Sequence, residues 1–343
     1  MTLRSARPLL GAALILPLLF VTACGTTQTT GDASTPSAAA SADCADDSTA
    51  TSTGPVSLTD AFDRTVELDA PAERVAVLEW QQIEDALTLC VTPVAVADAE
   101  GYTTWNSAEA LPEGVTDVGT RQEPNFDAIL GADPDLIIVE AYTAEDEIIG
   151  QLEEYGVPVL ATKGADAADP IGQMKATFEL IAQATGREER ADAVLDAFDA
   201  SVAEAKQTVS EAELVSDSFA YFDGWIDGGN VSLRFFSSGS LIGALGEELG
   251  LKNAWTGEAD PAYGLGITDI EGATAIGDAY LLHTSTNDAE SDIMPELATS
   301  EVWNSIPAVA EDRIAGFPVG IWTFGGPRSA ELILDAYVAA LTS

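Results

Sequence analysis

The chain has 343 residues, with 57 acidic against 14 basic side chains and a formal net charge of −43. Such acidity argues against nucleic acid and anionic membrane surfaces as partners. At ~100–200 residues per domain the length allows about two domains, and 46% hydrophobic residues suffice for ordinary globular cores.

At the start, Arg4 and Arg7 precede an apolar run over residues 9–20. That run is too short to cross a bilayer, which needs ~20 residues. It closes on Val21-Thr22-Ala23-Cys24. Small residues before a cysteine resemble the bacterial lipobox, which implies a signal peptide over 1–23 and acylation of Cys24. Lipid chains contribute ~0.8 kcal/mol per buried CH₂, so several of them make a stable anchor. Residues 25–54 hold no large apolar side chain, and such composition reads as disorder. With Cys24, the stretch 24–55 is expected to be a tether of roughly 30 Å average reach. The protein is thereby expected on the outer face of the cell membrane. Cys44 and Cys90 remain, an even number in an oxidising compartment. A disulfide between them, pinning the end of the tether to the first lobe, is expected, and two free thiols are the alternative.

The ordered part is expected from Val56. Residues 59–68 read as a hairpin turning at Asp63-Arg64, and the apolar run 74–78 as a buried strand. A helix follows at 81–90, with Ile83, Ala86, Leu87 and Cys90 on one face. Strands are expected at 94–96, 115–118, 136–139 and 157–161, and helices at 125–131 and 144–155. In 118–130, Pro124 is disfavoured inside a helix, Asn125 can cap the next one, and Asp127 adds charge to its first turn. Arg121 therefore sits on a short, stiff connection. Strands alternating with helices predict an α/β lobe with a mostly parallel sheet over 56–165.

Then the rhythm changes. Ile171, Met174, Phe178 and Ile181 have helical spacing, and Thr185-Gly186 interrupts. Residues 187–210 keep apolar spacings of three and four, a helix ~36 Å long. The region 166–212 reads as a helical connector built on one solitary strut. A second α/β lobe over 213–343 is expected to repeat the first pattern. Its strands fall at 219–222, 231–236, 278–283 and 313–317. Its helices run from Ser240 to Leu249, over 291–306 with a break near Thr299, and from Pro327 to Leu341.

The chain offers little to an enzyme. It has no G-x-S-x-G elbow and no P-loop. His283 is the only histidine, so histidine-based metal clusters are excluded. Its position at a strand end reads as a hydrogen-bonded residue. A hydrolase and a structural or adhesive surface lipoprotein stand as readings from other classes.

Several pieces in order carry a resemblance. They are Arg74-Val75-Ala76-Val77-Leu78-Glu79-Trp80, then Val118-Gly119-Thr120-Arg121-Gln122-Glu123-Pro124-Asn125, then Asp133-Pro134-Asp135-Leu136-Ile137. Gly239-Ser240-Leu241, Leu251-Lys252-Asn253-Ala254-Trp255 and Val302-Trp303-Asn304-Ser305-Ile306-Pro307-Ala308-Val309 follow, and Ile321-Trp322-Thr323-Phe324-Gly325-Gly326-Pro327-Arg328-Ser329-Ala330 closes the series. Over residues 56–343 the chain resembles the substrate-binding proteins of ABC importers that join two α/β lobes by one long helix. Within them it is similar to the ferric-siderophore binders of the ferrichrome/hydroxamate type.

The resemblance implies a shallow cleft between the lobes, a small hinge motion and no chemistry on the ligand. Arg121 matches an arginine that contacts the iron-coordinating oxygens. A guanidinium suits them, because it offers a planar fork of donors. The alternative is a surface pair with Glu123. Tyr142 matches a ligand-contacting tyrosine, Trp105 and Trp322 match aromatic residues of the cleft, and Tyr263 sits where the family can carry a tryptophan. Trp80 closes the first strand beside them. For each aromatic, core packing is the alternative. Arg234 stands where the hydroxamate pattern is apolar, and in the cleft it would admit a more anionic ligand. Removing Arg4 and Arg7 leaves twelve Lys and Arg. Tricatecholates carry about three negative charges and ask for clustered cations, so hydroxamates are favoured. Haem, cobalamin or a catecholate siderophore is the alternative cargo on the same fold. An ABC permease is the implied partner, with Asp127 and Glu271, or Asp269, as docking carboxylates and a monomer as the working form. Asp127 also serves as a helix-dipole residue.

Overall fold

Residues 42–342 are described by the computed structural model; the expected signal peptide and Cys24 lie outside them. A single turn, α1 (Ala42–Ala45), leads through an irregular segment to a hairpin, β1 (Val56–Thr59) and β2 (Thr65–Leu68). The hairpin thus starts three residues before the expected 59. Asp60 holds its turn by accepting the Phe62 and Arg64 amides at 3.0 Å each, while Asp63 takes a left-handed φ of 59°.

The first lobe follows as β3 (Val75–Val77), α2 (Trp80–Thr88), β4 (Ala95–Val96), α3 (Ala99–Trp105), β5 (Thr116–Asp117), α4 (Phe126–Gly131), β6 (Leu136–Glu140), α5 (Glu147–Glu153) and β7 (Val159–Thr162). The strands pair in the order β5-β4-β3-β6-β7, all parallel. Val75, Ala76, Val77, Ile137 and Ile138 are wholly buried, as a sheet covered on both faces requires. Helix α3 has no apolar period to reveal it. Asp98 starts it from a left-handed conformation and caps the Gly101 amide, and Tyr102 is its one buried side chain.

Two helices join the lobes, α6 (Pro170–Thr185) and α7 (Glu188–Glu211). Gly186, at φ 69°, ends α6 and turns the chain back. The strut is not solitary. Met174 of α6 packs in the second lobe's core, and Phe178 and Ile181 pack in the first. Helix α7 crosses the other way, with Ala191 and Val194 in the first core and Phe198 and Val209 in the second. Two crossing helices resist bending better than one.

The second lobe comprises β8 (Ser218–Asp227), β9 (Asn230–Phe236), α8 (Leu241–Glu248), β10 (Lys252–Asn253), β11 (Leu265–Thr268), α9 (Ile270–Ala273), β12 (Tyr280–His283), α10 (Met294–Leu297), α11 (Glu301–Asn304), α12 (Pro307–Ala310), β13 (Ile314–Gly316) and α13 (Pro327–Thr342). Its sheet runs β11-β9-β8-β12-β13, with β10 also against β8. It does not repeat the first lobe. Strands β8 and β9 form an antiparallel hairpin across Gly228-Gly229, and β11 adds antiparallel to β9. The helix expected over 291–306 is two separate turns, α10 and α11, with α12 beyond it. Pro295 and Pro307 each sit in the first turn of such a piece, where proline is tolerated.

Cys44 and Cys90 are joined, with Cα atoms 5.5 Å apart. Beyond that bridge, part of the stretch expected to be tether lies on the body. The Ser52 amide donates to the Gly186 carbonyl at 2.8 Å, and the Ala50 amide to Glu189 at 2.9 Å. Arg187 ion-pairs with Asp47 and donates to Thr51 at 2.8 Å. Polar bonds, not apolar burial, hold this segment, so composition gave no sign of it.

Candidate functional site

The cleft is built from residues that leave the ends of the parallel strands. Glu79 and Trp80 follow β3, Glu140 ends β6, and Thr284 follows β12. In open α/β sheets such carboxyl ends are where ligands bind. Together with Arg121, Tyr142, Tyr263, Arg234, Trp105 and Trp322 they enclose about 590 Å³. All seven side chains singled out for a ligand from the sequence therefore line one cavity. Its size falls within the usual ~300–1,000 Å³ of small-molecule sites.

Arg121 sits at the tip of a tight loop. Gly119 and Pro124 form an antiparallel bridge, and the Asn125 amide donates to the Val118 carbonyl at 2.6 Å. Gly119 takes φ +99°, a conformation that side chains rarely adopt. The loop aims the guanidinium inward. Its carbon lies 3.8 Å from the Trp80 ring centre and 5.7 Å from that of Trp322. The two indoles meet edge to face at 4.7 Å. Nη1 donates to Glu79 at 2.5 Å, and Nε stands 3.8 Å from Asp98. Glu79, not Glu123, is thus the arginine's partner. Glu79 also caps α2 by accepting the Trp80 amide at 2.8 Å. Trp80 needs Gly101 beside it, since a Cβ there would lie 2.3 Å from the indole.

The second lobe supplies the opposite wall. Arg234 donates from Nε to Asp223 at 2.8 Å and from a second nitrogen to its other oxygen. Burial raises the Asp223 carboxyl, and the Arg234 bonds oppose that rise. Tyr142 is 70% exposed at the rim and meets Tyr263 edge to face at 6.2 Å. The Tyr263 hydroxyl donates to Glu140 at 2.6 Å. Burial, with the neighbouring Glu79 charge, pushes Glu140 up to about 7. Burial and the Glu140 charge in turn raise Tyr263.

Glu79, Glu140 and Asp223 were not singled out from the sequence. With 57 acidic residues, a carboxylate carries no signal by type. Position would have found them, because each follows or ends an apolar strand run. His283 lies outside this cavity, in a neighbouring one. Its Nδ1 is 3.0 Å from the Thr284 carbonyl, and burial lowers its pKa.

Asp127 and Glu271 occupy matching places on the two lobes. Each is exposed in the first turn of a short helix, α4 or α9. Asn125 caps the first by accepting the Ala128 amide, and Asp269 caps the second by accepting that of Gly272. Asp269 is therefore engaged, and Glu271 is the freer carboxylate.

A profile of the periplasmic binding protein family matches residues 75–318. The chain belongs to that family. This binding protein is 25% identical over 261 residues to the iron(3+)-hydroxamate-binding protein FhuD of Escherichia coli (strain K12), covering 75% of this chain and 83% of that one. It is 28% identical over 262 residues to the Fe(3+)-citrate-binding protein YfmC of Bacillus subtilis (strain 168), covering 76% and 78%. Its fold matches the Fe3+-Desferal-bound siderophore-binding protein FhuD of Vibrio cholerae at a TM-score of 0.68 and 24% identity, over 79% and 98% of the two chains.

Proposed function

We propose that this binding protein captures a ferric siderophore of hydroxamate type in the cleft and delivers it to an ABC importer. The observation that carries the choice is the charge balance of the cleft. Both its arginines are already matched, Arg121 by Glu79 and Arg234 by Asp223. Among the described residues a tricatecholate complex with about three negative charges would meet no unopposed cation there. A ferric trihydroxamate is neutral and keeps partial charge on its outer oxygens. The Arg121 fork suits those oxygens, and the aromatic walls suit the apolar exterior. Trp80, Trp105, Trp322, Tyr142 and Tyr263 are the proposed wall, with Arg234 fixed by Asp223 as a polar edge.

Delivery needs a surface on each lobe. Asp127 and Glu271 are the proposed pair, exposed at helix starts that follow the cleft-lining segments. Acylation of Cys24 would hold the protein at the outer face of the membrane, and a monomer fits two docking points on one chain.

Titration of the chain after residue 24, read by tryptophan fluorescence, tests the cargo. A ferric hydroxamate should quench at micromolar concentration. Ferric catecholate, haem and cobalamin should not. Quenching by one of these alone would move the cargo to that class. Cys24→Ala should release the protein from membranes, and retention there would overturn the anchor.

A further inference from the structure

The main cavity is not closed at the second lobe. Trp105, Asp223 and Thr284 line both it and a neighbouring chamber of about 340 Å³. We infer that this chamber receives a pendant aminoalkyl arm of the cargo, carrying a protonated amine at its end. The inference rests on the ferric-siderophore reading above and adds the kind of siderophore.

Three features lead to it. The first is adjacency, since the cleft and the chamber share Trp105, Asp223 and Thr284, which sets the chamber beside a chelate held in the cleft. The second is the lining. Trp225, Ile226 and Met294 give apolar surface along the path of a methylene chain. Trp225 and Ile226, at the end of β8, are 41% and 45% exposed, so their apolar surface is available to such a chain. The third is charge. Among the described residues the chamber's carboxylates are Asp223, Glu290 and Asp292, and no Lys or Arg lines it. Asp223 is matched by Arg234, whereas Glu290 and Asp292 enter no ion pair among the described residues. His283 brings no cation at neutral pH, because burial lowers its pKa. Asp292 accepts the Met294 amide at 3.0 Å, which fixes its place on the wall. An ammonium group would meet two carboxylates and aromatic faces, both favourable to a cation. A carboxylate or phosphate arm would meet repulsion.

The test compares two cargoes that differ only at the arm's end, ferric desferrioxamine with its free terminal amine and the same complex N-acetylated. Both are titrated into the chain after residue 24 at low salt. The free amine should bind roughly three- to ten-fold tighter, and the preference should shrink as salt rises. In the isosteric double variant Glu290→Gln, Asp292→Asn the preference should fall to about one-fold. Arg121→Ala should weaken both complexes by a common factor. Equal affinities for the two complexes in the unaltered protein would overturn the chamber assignment and leave the cargo reading standing, as would a preference that survives in the double variant. Failure of both complexes to bind would overturn the cargo reading and the chamber with it.

Discussion

The Tyr263 hydroxyl, in the second lobe, donates a 2.6 Å hydrogen bond to Oε1 of Glu140, in the first. One bond thus spans the cleft, and its acceptor titrates near neutrality. The Glu140 carboxyl is pushed up to about 7, mainly by burial, from an ordinary value of 4.5. Between those values the folded protein binds the proton more tightly than the unfolded chain does. The stabilising contribution is therefore complete below the lower value and is lost as pH rises to about 7. It amounts to a few kcal/mol at most. Glu140→Gln keeps an acceptor for Tyr263 and removes the titration. Urea midpoints followed from about pH 5 to about pH 8 should fall more steeply in the unaltered protein than in the variant. Parallel curves would remove Glu140 from the pH response.

Arg121 combines three functions that separate on substitution. It stacks on Trp80 at 3.8 Å, pairs with Glu79 at 2.5 Å and leaves donors toward the cavity. Charge-assisted hydrogen bonds contribute about 1.5–3 kcal/mol each. Arg121→Ala should therefore weaken ferric hydroxamate binding by roughly 10- to 150-fold. Arg121→Lys keeps charge but loses the planar fork and the flat stack, so it should recover only part of that loss. The readout is Kd by fluorescence titration. Full recovery by lysine would reduce the role to charge alone.

Part of this site was legible because cations are scarce enough to stand out, which marked Arg121 and Arg234, and because Trp80 closes the first strand run. Trp105, Trp322, Tyr142 and Tyr263 were named only through the family resemblance, and all seven line the cavity. The strand-helix alternation of the first lobe was legible for a different reason, since buried parallel strands read as unbroken apolar runs. Glu79, Glu140 and Asp223 were hidden by abundance. The antiparallel β8–β9 hairpin was hidden because period and composition do not encode strand direction. Segment 46–55 was hidden because polar partners distant in sequence hold it: Arg187 reaches Asp47 across 140 residues.

The lobes are also joined beneath the cleft, by Glu84 of α2 and Ser329 of α13. Glu84 is wholly buried and accepts the Ser329 amide at 2.8 Å, its hydroxyl at 2.6 Å, and the Asn106 side chain at 2.7 Å. Gly325 is adjacent and tolerates no side chain, because a Cβ would lie 2.3 Å from that of Ser329. Glu84→Ala would strand buried donors, at about 1–3 kcal/mol each. A loss of roughly 3 kcal/mol or more in urea unfolding is expected. Ser329→Ala, which removes one bond, should lose about 1–2 kcal/mol. The double variant should lose less than the sum, since the two residues share that bond. Additive losses would mean that the two side chains act independently.

The Cys44–Cys90 bridge closes a loop of sequence separation 46. In the chain-entropy description, a loop of that length stabilises the folded state by about 4 kcal/mol, through restriction of the unfolded chain. Here the bridge has a second effect. It holds Asp47 near Arg187 and Arg190, and the segment onward to Ser52 lies on the start of α7 through polar bonds alone. Exposed bonds of this kind contribute little singly, so the segment depends on being tethered at both ends. Replacing Cys44 and Cys90 together by alanine should lower stability by about 2–4 kcal/mol, measured by urea unfolding. It should also raise amide exchange at Ala50 and Ser52 well above that of the β3 core. Glu79 and Trp80 line the cleft at the start of α2, whereas Cys90 lies beyond its other end, so ferric hydroxamate affinity should stay within about two-fold. Lost stability with unchanged exchange at Ala50 and Ser52 would confine the bridge to its entropic effect and give the segment an independent hold.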